Sequence, residues 1–264
     1  MNKIKTTAFE RLKWLIVAAL IIIIYIWSIN GIPFTGIQKS ASSVSTAIFK
    51  GIIHPEWSYV YNGSGEDLVS QLVITLAIAF LGTIISAFLS VPLAFLAAQT
   101  TKNFFHPRST IGKVILTAIR AFPEVVLAIL FIKMVGPGSF AGVLAIGVHS
   151  VGMLGKLFSE AIEEMDRSAE TAIIAAGGTK IQTFRIATLP TILPALMSYT
   201  LYRFEISVRS ASILGLVGAG GIGTPMMFAL QTRDWSKTGI ILLGIVVMVI
   251  VIDTCSSAIR KRLG

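Results

Sequence analysis

Long runs of apolar residues, separated by polar or glycine-rich stretches, recur six times along the chain. They occupy residues 14–29, 68–98, 114–135, 140–158, 189–211 and 238–259. A bilayer core of about 30 Å takes roughly 20 residues of α-helix, so the pattern predicts six membrane-spanning helices. The second run is long enough to tilt or project, and carries Pro92 late in it. The first follows Lys3, Lys5, Arg11 and Lys13 as a secretory leader would, but no small-x-small cleavage site follows it. It is expected to remain as an anchor. Residues 31–67 mix Gly, Pro, Ser and aromatics, which predicts a partly helical extracellular segment; residues 213–235 are apolar but too rich in Gly to span.

Composition agrees with that pattern and narrows it. Of 264 residues, 54% are hydrophobic and only 13% charged, about half the charged share of a soluble domain. An ordinary soluble enzyme and a disordered chain are both excluded. The expected fold is an all-α polytopic membrane protein. The net charge of +9 need not mean nucleic acid, because its cations fall on alternate sides of the spans. Lys3, Lys5, Arg11 and Lys13 precede the first, Lys102, Arg108 and Lys113 the third. Lys156, Arg167, Lys180 and Arg185 lie between the fourth and fifth, and Arg260, Lys261 and Arg262 follow the sixth. The intervening loops hold only Lys39, Lys50, Arg233 and Lys237. Positive residues stay inside, which places both termini in the cytoplasm.

Reactive chemistry is sparse. Cys255 is the only cysteine, and His54, His106 and His149 match no metal spacing. No phosphate-binding loop, zinc-protease helix or serine-hydrolase elbow occurs, so no catalytic residue, metal or bound cofactor is expected. Gly218-Ala-Gly-Gly-Ile-Gly223 spells a GxGxxG, but that motif needs a strand before it and a helix after it, and here it follows a span. It reads instead as a close-packed constriction near the outer mouth, with Gly215, Gly218, Gly220, Gly221 and Gly223 letting the backbones of two subunits approach. Met226 and Met227 beside it read as apolar packing.

The segment between the fourth and fifth runs is the most informative. A helix over 168–176 is stopped by Gly177-Gly178, and a second short amphipathic stretch with Ile181, Phe184 and Ile186 leads to Leu189-Pro190. Glu170-Thr-Ala-Ile-Ile-Ala-Ala-Gly177, followed 13 positions later by Pro190, resembles the signature loop of membrane subunits of binding-protein-dependent ABC importers. The resemblance implies a coupling element, with Glu170, Thr171, Ala172, Gly177, Gly178, Leu189 and Pro190 in the motif, seated on an ATPase subunit. Thr171 stands at the family's Glu position, with Glu170 one residue early, and Ala187 replaces an Ile.

Three further runs narrow the likeness. Arg120-Ala-Phe-Pro-Glu124, His149-Ser-Val-Gly-Met-Leu-Gly-Lys-Leu-Phe158 (with Gly142-Val-Leu-Ala before it) and the stretch from Arg203 to Gly223 are similar to the phosphonate importer permeases. That likeness covers about 68–259. It implies a type I ABC importer permease core in the last five spans, 68–264, with a coupling loop at 159–188, after an anchor and extracellular segment at 1–67. It further implies a pair of ATPase subunits that bind the ATP and Mg, an extracytoplasmic binding protein, a second copy or paralogous permease, and residence in a bacterial cytoplasmic membrane. The cargo implied is a phosphonate or related phosphorus oxyanion. An ion-coupled secondary transporter of a small anion is the alternative.

Charges inside the spans are costly and so carry information. Helical spacing pairs Arg120 with Glu124 and Glu205 with Arg209. It leaves Arg203 either to reach Glu124 across spans or to face a path for an anion. His149 is expected to hydrogen-bond between helices.

Overall fold

A computed structural model describes residues 8–31, 41–99 and 107–263, and among these every regular element is helical. Contacts divide the chain into two compact units, Met1–Thr46 and Ala47–Gly264. The first holds α1 (Ala8–Gly31) and the start of α2 (Ala41–Ile53). Side chains of α1 from Trp14 to Trp27 are exposed, an all-round apolar rod suited to lipid. Residues 32–40 and 100–106, with Lys3, Lys5, Lys39, Lys102 and His106, lie outside the described residues.

The second unit is built on the contact of α3 (Leu68–Ala97) with α6 (Ser139–Glu164). One stripe of α3, formed by Thr75, Ala79, Gly82, Thr83, Ser86, Ser90 and Ala94, is buried. Val73, Phe80, Leu81, Phe88 and Leu89 on the opposite side are exposed. Water-driven burial is no help in lipid, so spanning helices associate by packing small residues tightly. A Cβ on Gly82 would lie 2.8 Å from Ile146 Cγ2, which measures how closely the two backbones meet. Thr83 donates to Ser207 at 2.9 Å and Ser90 to the Val151 carbonyl at 3.2 Å.

The third run is not one helix. α4 (Pro107–Ala121) and α5 (Glu124–Val135) are bent by 78° at Phe122-Pro123. Pro123 has no N–H and disfavours a helical residue before it. His149 fills the gap, its Nδ1 lying 3.1 Å from the Phe122 carbonyl; a carbonyl can only accept, so Nδ1 carries the proton. After α6 come α7 (Ser168–Ala175), α8 (Lys180–Thr183) and a π-helical turn at Phe184–Thr188 that runs directly into α9 (Leu189–Leu214). A 3₁₀ turn, Gly215–Val217, leads to α10 (Gly223–Thr232) and α11 (Trp235–Leu263).

Among the described residues, four helices, α1, α3, α6 and α11, are each long and apolar enough to cross a membrane, and the bent α4–α5 pair makes a fifth when counted as one broken span, against the six runs predicted. α9 has 26 residues and contains Arg203, Glu205 and Arg209; its charges are settled by partners on other helices. The helix of the fourth apolar run, α6, continues past the predicted end at 158 to Glu164, so the 159–188 stretch begins as an extension of that helix.

Candidate functional site

The α7–α8 hairpin is fixed by local signals. Gly177 N–H reaches the Ile174 carbonyl at 3.0 Å and Gly178 N–H the Ile173 carbonyl at 2.9 Å. This paired closure needs a left-handed residue, and Gly177 supplies it at φ +82°. Thr179 and Gln182 then form a reciprocal capping box that starts α8. Ser168 donates to Asp166 through its hydroxyl (2.7 Å) and backbone (3.0 Å), and these bonds hold the Asp166 carboxyl below its ordinary range. Glu170 turns inward: Thr188 donates to it from the π turn, and Arg167 lies 3.7 Å away. Thr171 and Ala172 are exposed. So are Ile174, Ile181 and Ile186, at 62%, 78% and 63%, which makes an apolar surface on a hairpin that is otherwise polar.

The intramembrane charges do pair, but not along their own helices. Arg203, 2% exposed, donates from Nε to Ser150 Oγ at 2.7 Å and from a terminal nitrogen to Glu124 at 3.2 Å. Glu124 also accepts from Ser210 at 2.8 Å. Arg209 meets Asp253 at 3.3 Å, and Glu205 meets Arg260 at 2.7 Å. The expected pairs Arg120–Glu124 and Glu205–Arg209 are therefore corrected. The bend at Pro123 takes Glu124 off the face that carries Arg120, and α11 offers α9 better-placed partners than its own next turn. Arg203 is not the uncompensated cation. Of the five in-span charges weighed above, Arg120 is the one with no ion-pair partner among the described residues. Sequence reasoning missed Asp253, although a lone carboxylate within the last apolar run was a legible signal. It also assigned Arg260 to a tail, whereas that residue is still helical.

The glycine segment packs within its own chain. Gly138 N–H donates to the Gly218 carbonyl at 2.9 Å, and Ile222 N–H to Thr75 Oγ1 at 2.8 Å. Ala219 and Ile222 are 1% and 0% exposed. A Cβ on Gly215 would fall 2.6 Å from both the Gly220 carbonyl and Gly223 Cα. The close approach that glycine permits thus brings the ends of α3, α6, α9 and α10 together. No strand precedes it among the described residues, so the dinucleotide motif lacks its framework.

At the same end of the bundle, buried Asp67 caps α3 through Ser70 N–H (2.8 Å) and also accepts from Asn62 and Gly63. Bonds from Ser70, then Asn62 and Gly63, hold its carboxyl below the ordinary range. Burial, with Asp67, Glu66 and Glu56 nearby, pushes the Tyr59 phenol up to about 12. It stays protonated, donates to the Glu66 carbonyl at 2.8 Å and lies beneath Lys237 Nζ, 4.4 Å from its ring centre.

Comparison with known proteins places this arrangement. The family model described as "Binding-protein-dependent transport system inner membrane component" matches residues 90–264. The phosphite transport system permease protein PtxC of Stutzerimonas stutzeri is 35% identical over 92% of this chain and 86% of that protein. The phosphate-import permease protein PhnE of Mycolicibacterium smegmatis is 35% identical over 83% of this chain and 40% of that protein. A putative cryptic phosphonate transport system permease protein of Escherichia coli, PhnE2, is 40% identical over 45% of this chain and 98% of that protein. Among solved structures, an inward-facing MetNI methionine ABC transporter superposes with a TM-score of 0.63 at 22% identity, over 75% of this chain and 96% of that one. That likeness speaks to the fold.

Proposed function

Because the chain belongs to the binding-protein-dependent transport system inner membrane component family, and so is a permease subunit of an ABC importer and not an enzyme, we propose that its cargo is a phosphorus oxyanion of the phosphite or phosphonate type. The cargo reading rests on PtxC, similar over 92% of this chain and named for phosphite. The names of the other two relatives, phosphate and phosphonate, share the same tetrahedral, anionic head.

The observation that carries the mechanism is the α7–α8 hairpin. It exposes Ile174, Ile181 and Ile186 and is tied back to the start of α9 through Glu170 and Thr188. We read it as the surface that seats an ATPase subunit, with ATP and Mg²⁺ held there and not by this chain. Gly177 and Gly178 shape the seat, and Leu189 and Pro190 begin the helix that receives its movement. In this reading Glu170 is an internal tie, and the contact with the partner falls to Thr171, Ala172 and the exposed isoleucines.

The functional complex has two permease subunits, identical or paralogous, two ATPase subunits and an extracytoplasmic binding protein. Both termini and the hairpin face the cytoplasm, with residues 68–264 as the permease core. Arg203, Glu124, Glu205 and Arg209 act as a clamp holding α5, α6, α9 and α11 in register. The segment containing Gly215, Gly218, Gly220, Gly221 and Gly223 is the outer gate.

Reconstitution into vesicles with the ATPase and binding protein tests the reading. Uptake of inorganic phosphite or methylphosphonate should require ATP, binding protein and this chain together. Uptake driven by an ion gradient without ATP would overturn the mechanism, and ATP-driven uptake of an unrelated solute would overturn the cargo.

A further inference from the structure

Two helical stripes face each other between α4 and α6. On α4, Lys113, Leu116, Thr117 and Arg120 follow the i, i+3, i+4, i+7 spacing of one helix face, and on α6 so do Lys156, Ser159, Glu160 and Glu163. They line a cleft of about 340 Å³. Near its mouth, at the α7–α8 end, Lys113 is paired with Glu163 at 2.9 Å; Lys156 is paired with Glu160 at 3.3 Å. Deeper in, the helices touch. A Cβ on Gly152 would lie 2.8 Å from the Arg120 backbone nitrogen, and one on Gly155 would collide with Leu116. The Arg120 backbone therefore marks the end where the two helices close on each other, two turns or about 10 Å beyond Lys113.

Its guanidinium is exposed and has no ion-pair or hydrogen-bond partner among the described residues. Both carboxylates of the cleft are already taken by lysines. An unpaired arginine within an apolar run is costly to leave against lipid, so it calls for water or an anion beside it. We propose that this cleft is a holding site for a phosphorus oxyanion on the inner half of the translocation path, with Arg120 as its anchor. A planar guanidinium presents two parallel N–H groups to two oxygens of such an anion. The Thr117 and Ser159 hydroxyls lie on the two walls within the same cleft, and Lys113 and Lys156 can re-aim from their carboxylates as the anion leaves.

The inference rests on the cargo reading above, and its test separates the two. The complete transporter is reconstituted with Arg120→Gln or Arg120→Lys, in phosphatidylcholine vesicles with and without phosphatidylglycerol, and phosphite uptake is measured. Loss of one charge-assisted anion contact should lower uptake by Arg120→Gln about tenfold or more, with Arg120→Lys in between, in both vesicle types. Wild-type uptake that Arg120→Gln leaves unchanged overturns the holding site and spares the cargo reading. A wild type that takes up neither phosphite nor methylphosphonate overturns the cargo reading itself. A deficit confined to phosphatidylglycerol vesicles means the cleft holds an anionic lipid headgroup, which also overturns the holding site. Should Arg120→Gln fail to assemble, Thr117→Cys in a Cys255→Ser background reports on the intact arginine. Inorganic phosphite should slow its alkylation, and no protection at saturating phosphite refutes the proposal.

Discussion

Replacing Arg203 with glutamine tests whether the buried ion pair is a structural clamp or part of the path. Arg203 is 2% exposed and Glu124 15% by side chain. The change removes the Ser150 hydrogen bond, about 1 kcal/mol, and strands a largely buried carboxylate with Ser210 as its remaining donor. Breaking one side of such a pair costs about 3–5 kcal/mol. The total, about 5 kcal/mol, corresponds to a fall in melting temperature of about 10–20 °C for a chain of this size. Adding Glu124→Gln removes the stranded charge and should recover most of that loss. The double-mutant cycle then yields a coupling of about 3 kcal/mol, at the upper end for side chains in one network. Melting of the detergent-solubilised complex followed by size-exclusion chromatography measures all four corners. If Arg203→Gln melts with the wild type while uptake collapses, the clamp reading is wrong and Arg203 faces the anion.

Three shorter tests address other parts of the molecule. At Gly177, nothing lies within 4 Å of an added Cβ, so Gly177→Ala costs only its left-handed backbone, about 1 kcal/mol; Gly177→Glu should leave insertion intact yet uncouple ATP hydrolysis from uptake, and unchanged ATP-driven uptake would count against the hairpin as the coupling element. Cysteines at Ala219 and Ile222, both nearly inaccessible here, should resist external thiol reagents without nucleotide and react once nucleotide opens the outer gate; identical labelling in both states makes the segment static packing. Asp67 has a folded pKa below its unfolded value of about 3.9, so its contribution is present above that value and is lost as pH falls through the folded one. Asp67→Asn should therefore melt lower than wild type at pH 7, with the gap closing in acid, and a pH-independent gap refutes the assignment.

The hairpin was readable from sequence because its instructions are local. Gly177-Gly178 and the Thr179–Gln182 box each act within one turn of helix. Prolines were ambiguous for the opposite reason. Pro92 sits inside a continuous α3 and Pro194 inside α9, while Pro123 breaks its helix; the difference lies in what packs around each, including the His149 ring at the Phe122 carbonyl. Charge pairing failed for a related reason. Spacing along one helix shows which residues could meet, but α11 and the α4–α5 bend decide which do. The glycines announced a close approach, expected between two subunits, and within one chain they already bring its own helices together.

The unbroken passage from the π turn at Phe184–Thr188 into α9 gives the hairpin a mechanical character. With its 26 residues at about 1.5 Å each, α9 is a beam of roughly 39 Å. One end is riveted to the hairpin through Glu170 and Thr188, the middle is gripped by Arg203 and Glu205, and the far end meets the glycine joint at Gly215. A helix resists bending far better than a loop does, so force on the hairpin is delivered along the beam instead of dissipating at its root. Pivoting about the gripped middle, the two ends swing in opposite directions. A tilt of about 5° moves each end by nearly 2 Å. With an ATPase seated on the hairpin as proposed, its pressure there would arrive at the far end as leverage on the joint where α3, α6, α9 and α10 meet.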